Sequence, residues 1–170
     1  MNSNLILRGR HAVVFGASGS IGAAVAKEFA AEAARVFLAG RTKASLETVA
    51  EQIRAAGGEA QTAVVDALDD SSVNRYLDDV AKQAGKSVRV VCLRTVANID
   101  SRPIQETMEF VAARMNITKE QAIGQVALSN FLKVPATVKD TANAAVLIAS
   151  DRARMMTGTV VNASAGAALD

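Results

Sequence analysis

Seven residues, GASGSIG from Gly16 to Gly22, stand between an apolar run, AVVF at 12 to 15, and an alanine-rich run in which Ile21, Val25 and Phe29 recur at helical spacing. Small residues at such a corner let the backbone curl tightly. The first amides of the following helix then face outward without partners, which makes an anion site. The same glycines also suit any tight strand-to-helix corner, so the turn alone leaves both readings open. A second cue follows the next apolar run, VFLAG, at Gly40, Arg41 and Thr42. A phosphate loop of the Walker kind needs Lys and then Ser or Thr after its last glycine, whereas Gly22 is followed by Ala23 and Ala24. A site for an unphosphorylated ribose usually has an acid at the end of the second strand. Arg41 stands there instead. A guanidinium fork suits a phosphate, so the turn and Arg41 together point to a nucleotide carrying a 2′-phosphate, with a solvated loop cation as the alternative for Arg41.

Other reactive side chains are sparse. The single Cys92 lies in an apolar run and the single His11 just ahead of one, so no metal site is expected, and the two read as a packed thiol and a surface imidazole. Asp100 and Ser101 are adjacent but have no His or Lys partner that would make a nucleophile. The one tyrosine, Tyr76, falls on an amphipathic segment with Val80 four places later, and reads as a packing residue.

These residues need a scaffold, and the periodicity supplies one. Apolar runs at 12–15, 36–40, 60–66, 88–93 and 158–163 alternate with amphipathic stretches at about 21–34, 43–56, 71–84 and 138–149. Short apolar strands alternating with helices indicate a parallel sheet covered on its faces. Between 101 and 133 lies a mostly helical excursion, with Pro103 ahead of one helix and Thr118 capping another.

The chain has 170 residues, half of them hydrophobic, which suits one domain with one core, and neither a linker nor a repeat divides it. A net charge of +2, with no basic stripe, argues against nucleic acid as a partner. The apolar runs are of strand length, which argues against a membrane span, and the four-residue apolar stretch in MNSNLILRGR is too short for a secretory signal. A single cysteine fits a reducing cytoplasm.

In order along the chain, VVFGASGSIG, LAGRT, VVDALDD and DTANAAVLIASDRARMMTGTVVNASAG resemble successive signatures of the short-chain dehydrogenase/reductase family. The resemblance implies that Gly16, Ser18, Gly19, Ser20, Ile21 and Gly22 line the pyrophosphate turn, with Gly19 and Ser20 in place of the usual middle glycine. It also implies that Arg41 and Thr42 meet the 2′-phosphate of NADP, preferred over NAD, and that Asp66 and Ala67 face the adenine. Asp66 equally suits a strand-end carboxylate capping a backbone amide.

Against that family, residues 81–95, AKQAGKSVRVVCLRT, form a seam. Members carry a strand ending in Asn-Ala-Gly, a strand with the catalytic serine and a helix with Tyr-x-x-x-Lys before the strand that VRVVCL resembles. Here the helix at 71–84 reaches that strand through Gly85, Lys86 and Ser87. At about 30 residues for each strand-helix unit, two to three units are missing. The expected fold is a doubly wound, Rossmann-type α/β domain of about five parallel strands in the order 3-2-1-4-5, over residues 1–170, with the excursion at about 101–133 as a lid. The expected function is NADP(H) binding without the usual oxidoreductase activity. An active NADP-dependent reductase and a non-catalytic interaction protein with a vestigial site are the alternatives. One helix on the second sheet face predicts a homodimer or higher homo-oligomer.

Overall fold

The computed structural model describes residues 5–85 and 89–167. It begins with β1 (His11–Phe15), α1 (Ser20–Ala31), β2 (Arg35–Gly40), α2 (Lys43–Ala55), β3 (Glu59–Val64) and α3 (Asp70–Ala84). Local chemistry sets these limits. α2 buries Leu46, Val49, Ala50 and Ile53, one helical stripe, and the chain leaves it through Gly57 at φ +84°. Asp69 caps α3 by accepting from the Ser71 and Ser72 amides at 3.0 and 3.3 Å, and Gly85 ends the helix in the left-handed region. The rest of the handover, Lys86 and Ser87, lies outside the described residues.

The second half contains β4 (Val91–Thr95), α4 (Arg102–Met115), α5 (Lys119–Leu128), α6 (Val138–Ala149), a short 3₁₀ turn (Asp151–Ala153) and β5 (Thr159–Ala163). The excursion folds as the helical pair α4 and α5 around Met108, Ala112 and Ala122, a small cluster separate from the main core. α6 starts with a reciprocal cap. The Thr137 hydroxyl accepts from the Asp140 amide at 3.1 Å, and the Asp140 carboxylate accepts from the Thr137 amide at 3.0 Å.

All strand pairs are parallel, in two ladders: β1 with β2 and β2 with β3, then β4 with β5. The α/β class and both pieces of the expected order, 3-2-1 and 4-5, are therefore present. Among the described residues no ladder joins β1 to β4, and the sheet is open between them. The cause lies in what holds β4. The Arg89 guanidinium donates to the carbonyls of Ile148, Ala149, Ser150, Ala153 and Met156, at the end of α6 and along the turn that follows it. α6 packs along α1, with Ala145 and Val146 in the same core as Ala26 and Phe29. β4 thus takes its position from helices rather than from β1. The core lies beneath β1 and β2, where α1, α2 and α6 meet.

Candidate functional site

The first turn is built by backbone geometry. Gly16 takes φ +66°, the Gly19 amide donates to the Gly16 carbonyl at 3.0 Å, and Ala17 is tied to the end of β2 through the Ala39 carbonyl at 3.2 Å. A Cβ at Gly22 would collide with the Gly16 carbonyl, so glycine is required for the helix to start this close to the turn. Gly19 is the helix N-cap and no side chain caps it. The Ser20, Ile21 and Gly22 amides precede the first intrahelical bond, from Ala23 to the Gly19 carbonyl at 2.8 Å. No acid stands in the first turn of α1. The helix terminus therefore presents unpaired donors with a partial positive charge.

The other candidate residues gather at the same end of the three strands. Ala39 meets the glycine turn, and Arg41 and Thr42 follow at once. The Val65 amide donates to the Gly40 carbonyl at 3.0 Å, which brings Asp66 and Ala67 alongside. Ser18, Arg41, Thr42, Asp66 and Ala67 are all exposed there. Among the described residues, no carboxylate pairs with Arg41. Asp66 accepts from the Leu68 amide at 3.1 Å, the local cap that was one of its two readings.

Tyr76 sets its ring edge against Phe15, with centroids 6.4 Å apart and planes at 85°. Burial pushes its hydroxyl up to about 12, away from the range in which a tyrosine exchanges protons at neutral pH. Ser101 is buried as the N-cap of α4, and Asp100 accepts from the Val138 amide at 2.7 Å. Asp100 thus has a structural partner, whereas the Ser101 hydroxyl makes no cap bond and Ser101 joins the chain through its backbone, its amide donating to the Asn98 carbonyl at 2.9 Å. Two expectations need correction. Cys92 is exposed, not packed, because it falls with Arg94, Val160 and Asn162 on the exposed face of the β4–β5 ladder. His11 is half-buried, its ring 5.8 Å from that of Phe37 on β2. Sequence reasoning missed Arg89 and Asn98. Asn98, almost wholly buried, accepts from the Thr141 hydroxyl at 2.7 Å and donates to the Val96 carbonyl at 2.9 Å. Neither belongs to a recognisable local pattern, so only the folded chain shows their partners.

A parallel α/β sheet with a glycine turn at its first strand-to-helix corner defines a nucleotide-binding class of fold. Within that class the assignment is specific. The family model described as short chain dehydrogenase matches residues 10–168, and the chain belongs to that family. It is 35% identical over 79 residues to an uncharacterised oxidoreductase of Bacillus subtilis, a match covering 46% of this chain and 29% of the relative. It is 31% identical over 103 residues to a fatty acyl-CoA reductase of Mycobacterium tuberculosis, covering 61% and 34%. The chain thus spans about a third of the length of these curated relatives. A hydroxysteroid dehydrogenase from Escherichia coli superposes with a TM-score of 0.69 at 17% identity, over 98% of this chain and 99% of that one. An actinorhodin polyketide ketoreductase solved with NADPH superposes with a TM-score of 0.68 at 15% identity, over 93% and 97%. At such identities the likeness is one of fold.

Proposed function

We propose that this chain binds NADP(H), in preference to NAD(H), and that these 170 residues do not by themselves carry out the family's oxidoreductase reaction. The observation that carries the first half is the uncapped N-terminus of α1, pressed against the Gly16 turn and set beside an exposed Arg41 without a carboxylate partner. The Ser20, Ile21 and Gly22 amides would take the pyrophosphate, Arg41 and Thr42 the 2′-phosphate, and Asp66 and Ala67 the adenine edge. When bound, the cofactor supplies a hydride donor or acceptor.

For turnover, the reacting oxygen also needs a proton donor or acceptor. Tyr76 does not fill that role, because it packs against Phe15 and burial keeps its proton on. Positioned acid-base groups contribute about 10² to 10⁴-fold to such reactions. Calorimetric titration tests the cofactor reading. NADPH should bind more tightly than NADH, and Arg41→Ala should weaken NADPH by about 10 to 150-fold while leaving NADH unchanged. Equal affinities in the unsubstituted chain would overturn it. With ketones and secondary alcohols, no turnover above background is expected. NADPH oxidation abolished by one substitution in this chain would favour an active reductase.

The same reading includes self-association in the cytoplasm. Phe131 and Leu132 are 70% and 68% exposed beside the C-terminal strand, where the Leu132 amide donates to the Ala165 carbonyl at 3.2 Å. Light scattering at micromolar concentration should show a dimer or larger species. A stable monomer that binds no hydrophobic dye would remove this part of the proposal.

A further inference from the structure

The opening between β1 and β4 is a cleft of about 910 Å³. One long wall is β1, from His11 to Phe15, and the other is β4, with Val91, Cys92, Leu93 and Thr95. Its floor and roof are apolar. Val73, Leu77 and Val80 of α3 lie on one side, and Val25, Phe29 and Ile148 of α1 and α6 on the other. Two arginines reach it, and both are engaged: Arg10 pairs with Asp151, and Arg89 holds carbonyls at the end of α6 and in the turn after it. These contacts also bring the starts of β1 and β4 to the same end of the cleft, so the two strands run in the same sense.

Each wall is a sheet edge. Among the described residues β1 has β2 as its single partner and β4 has β5, so each presents a row of backbone N–H and C=O groups to the cleft. A space with polar amide rims and apolar faces matches one chemistry closely, that of an extended polypeptide with apolar side chains on both faces. An acyl chain or a steroid would fill the apolar faces but leave the rims unpaired. Size agrees. A strand of about five residues is about 17 Å long, takes about 4.8 Å of sheet width and sits between layers about 10 Å apart, or about 800 Å³ in all. That is room for one strand. The inner strand of a parallel sheet is typically an uncharged run of valine, isoleucine and leucine.

We propose that the cleft is a strand-acceptor site: one extended, uncharged, Val/Ile/Leu-rich segment supplied by another polypeptide lies between β1 and β4 and joins the two ladders into one sheet. This goes beyond the dinucleotide reading. The two sites adjoin: Gly16, Gly19, Ser20, Ile21 and Gly22 of the glycine turn, which follow the end of β1, also line the cleft, whereas Arg41, Thr42, Asp66 and Ala67 do not.

Cys92, the sole cysteine, lines the cleft and reports on it. The probe is a fluorescein-labelled peptide with six central valines and isoleucines between lysine pairs, added to the intact chain. Its control is the same peptide with alternate backbone amides N-methylated, which keeps the apolar side chains and removes donors. The parent should bind saturably, one per chain, and slow maleimide labelling of Cys92 by about tenfold. The methylated peptide should bind about tenfold more weakly or worse, since it has lost donors to the strand edges. Equal binding of the two peptides would mean a merely greasy surface, and unchanged Cys92 labelling with peptide bound would place it elsewhere. Protection of Cys92 before any peptide is added would mean that β1 and β4 close on each other, or that a second copy fills the cleft. Each of these three results overturns the proposal. NADPH titration of the same sample reads the cofactor site separately.

Discussion

Leu38 of β2 and Leu93 of β4 are the same residue type, each in the middle of an apolar strand in a parallel ladder. Leu38 is fully buried and Leu93 only half. The contrast extends along both strands. Val36 to Ala39 are buried without a break, whereas β4 and β5 alternate between half-buried and exposed. Among the described residues β2 has strands on both edges and β4 has one, and the alternation along β4 and β5 marks one open face of their ladder. An apolar strand is therefore a demand for neighbours, and its burial measures how fully the rest of the chain meets that demand. The first ladder satisfies the demand with α1 and α2. The second depends on α6, the Arg89 contacts and whatever enters the cleft.

The sharpest way to break this comparison is to truncate a side chain in each ladder. Phe37→Ala, at a position 2% exposed, should cost about 3–5 kcal/mol in denaturant unfolding. Cys92→Ala should change stability by less than about 0.5 kcal/mol. Similar losses at the two sites would mean that the ladders are equally well packed.

A medium effect is expected where the second ladder is tied down. Arg89→Met keeps much of the stem but removes donors to five carbonyls. Hydrogen bonds to charged groups contribute about 1.5–3 kcal/mol, so amide exchange in β4 and β5 should become faster by that free energy while β2 stays protected. Uniform loosening of both ladders would show that Arg89 supports the whole sheet.

The smallest effect belongs to the cap of α6, the helix that links the two ladders. Thr137→Ala should cost about 1 kcal/mol. The Thr137 hydroxyl, and after it the Thr137 amide, hold the Asp140 carboxyl below its usual value. A carboxyl lowered by folding adds stability above its unfolded value, near 3.8, and loses it as pH falls through the folded value below that. The difference between the unsubstituted chain and Thr137→Ala should therefore be full at neutral pH and shrink below about pH 4. A difference that does not change with pH would remove Asp140 from the cap.

Much of the candidate site was legible because its signals are short-range. Gly16 needs a positive φ, Gly22 needs room for the helix to meet the turn, and Arg41 follows the strand end directly. Such constraints act within a few residues of the chain. α6 emerges at 138–149, where apolar spacing and the Thr137 cap place it. Cys92 was misjudged for the opposite reason. Its strand looks buried by composition, but burial depends on a neighbour that no local pattern names.

The sequence by itself determined the alternation of strands and helices, the glycine turn, the residues at the strand ends and the family resemblance, because each depends on spacing, backbone freedom or side-chain type within a short segment. The tertiary structure alone decided that, among the described residues, the sheet stays open between β1 and β4, that Arg89 anchors the second ladder and that burial holds the proton on Tyr76, which the sequence already marks as a packing residue. Those outcomes depend on how α1, α3 and α6 share space across distances of 50 residues and more in the chain, and packing at that range leaves no local periodicity to read.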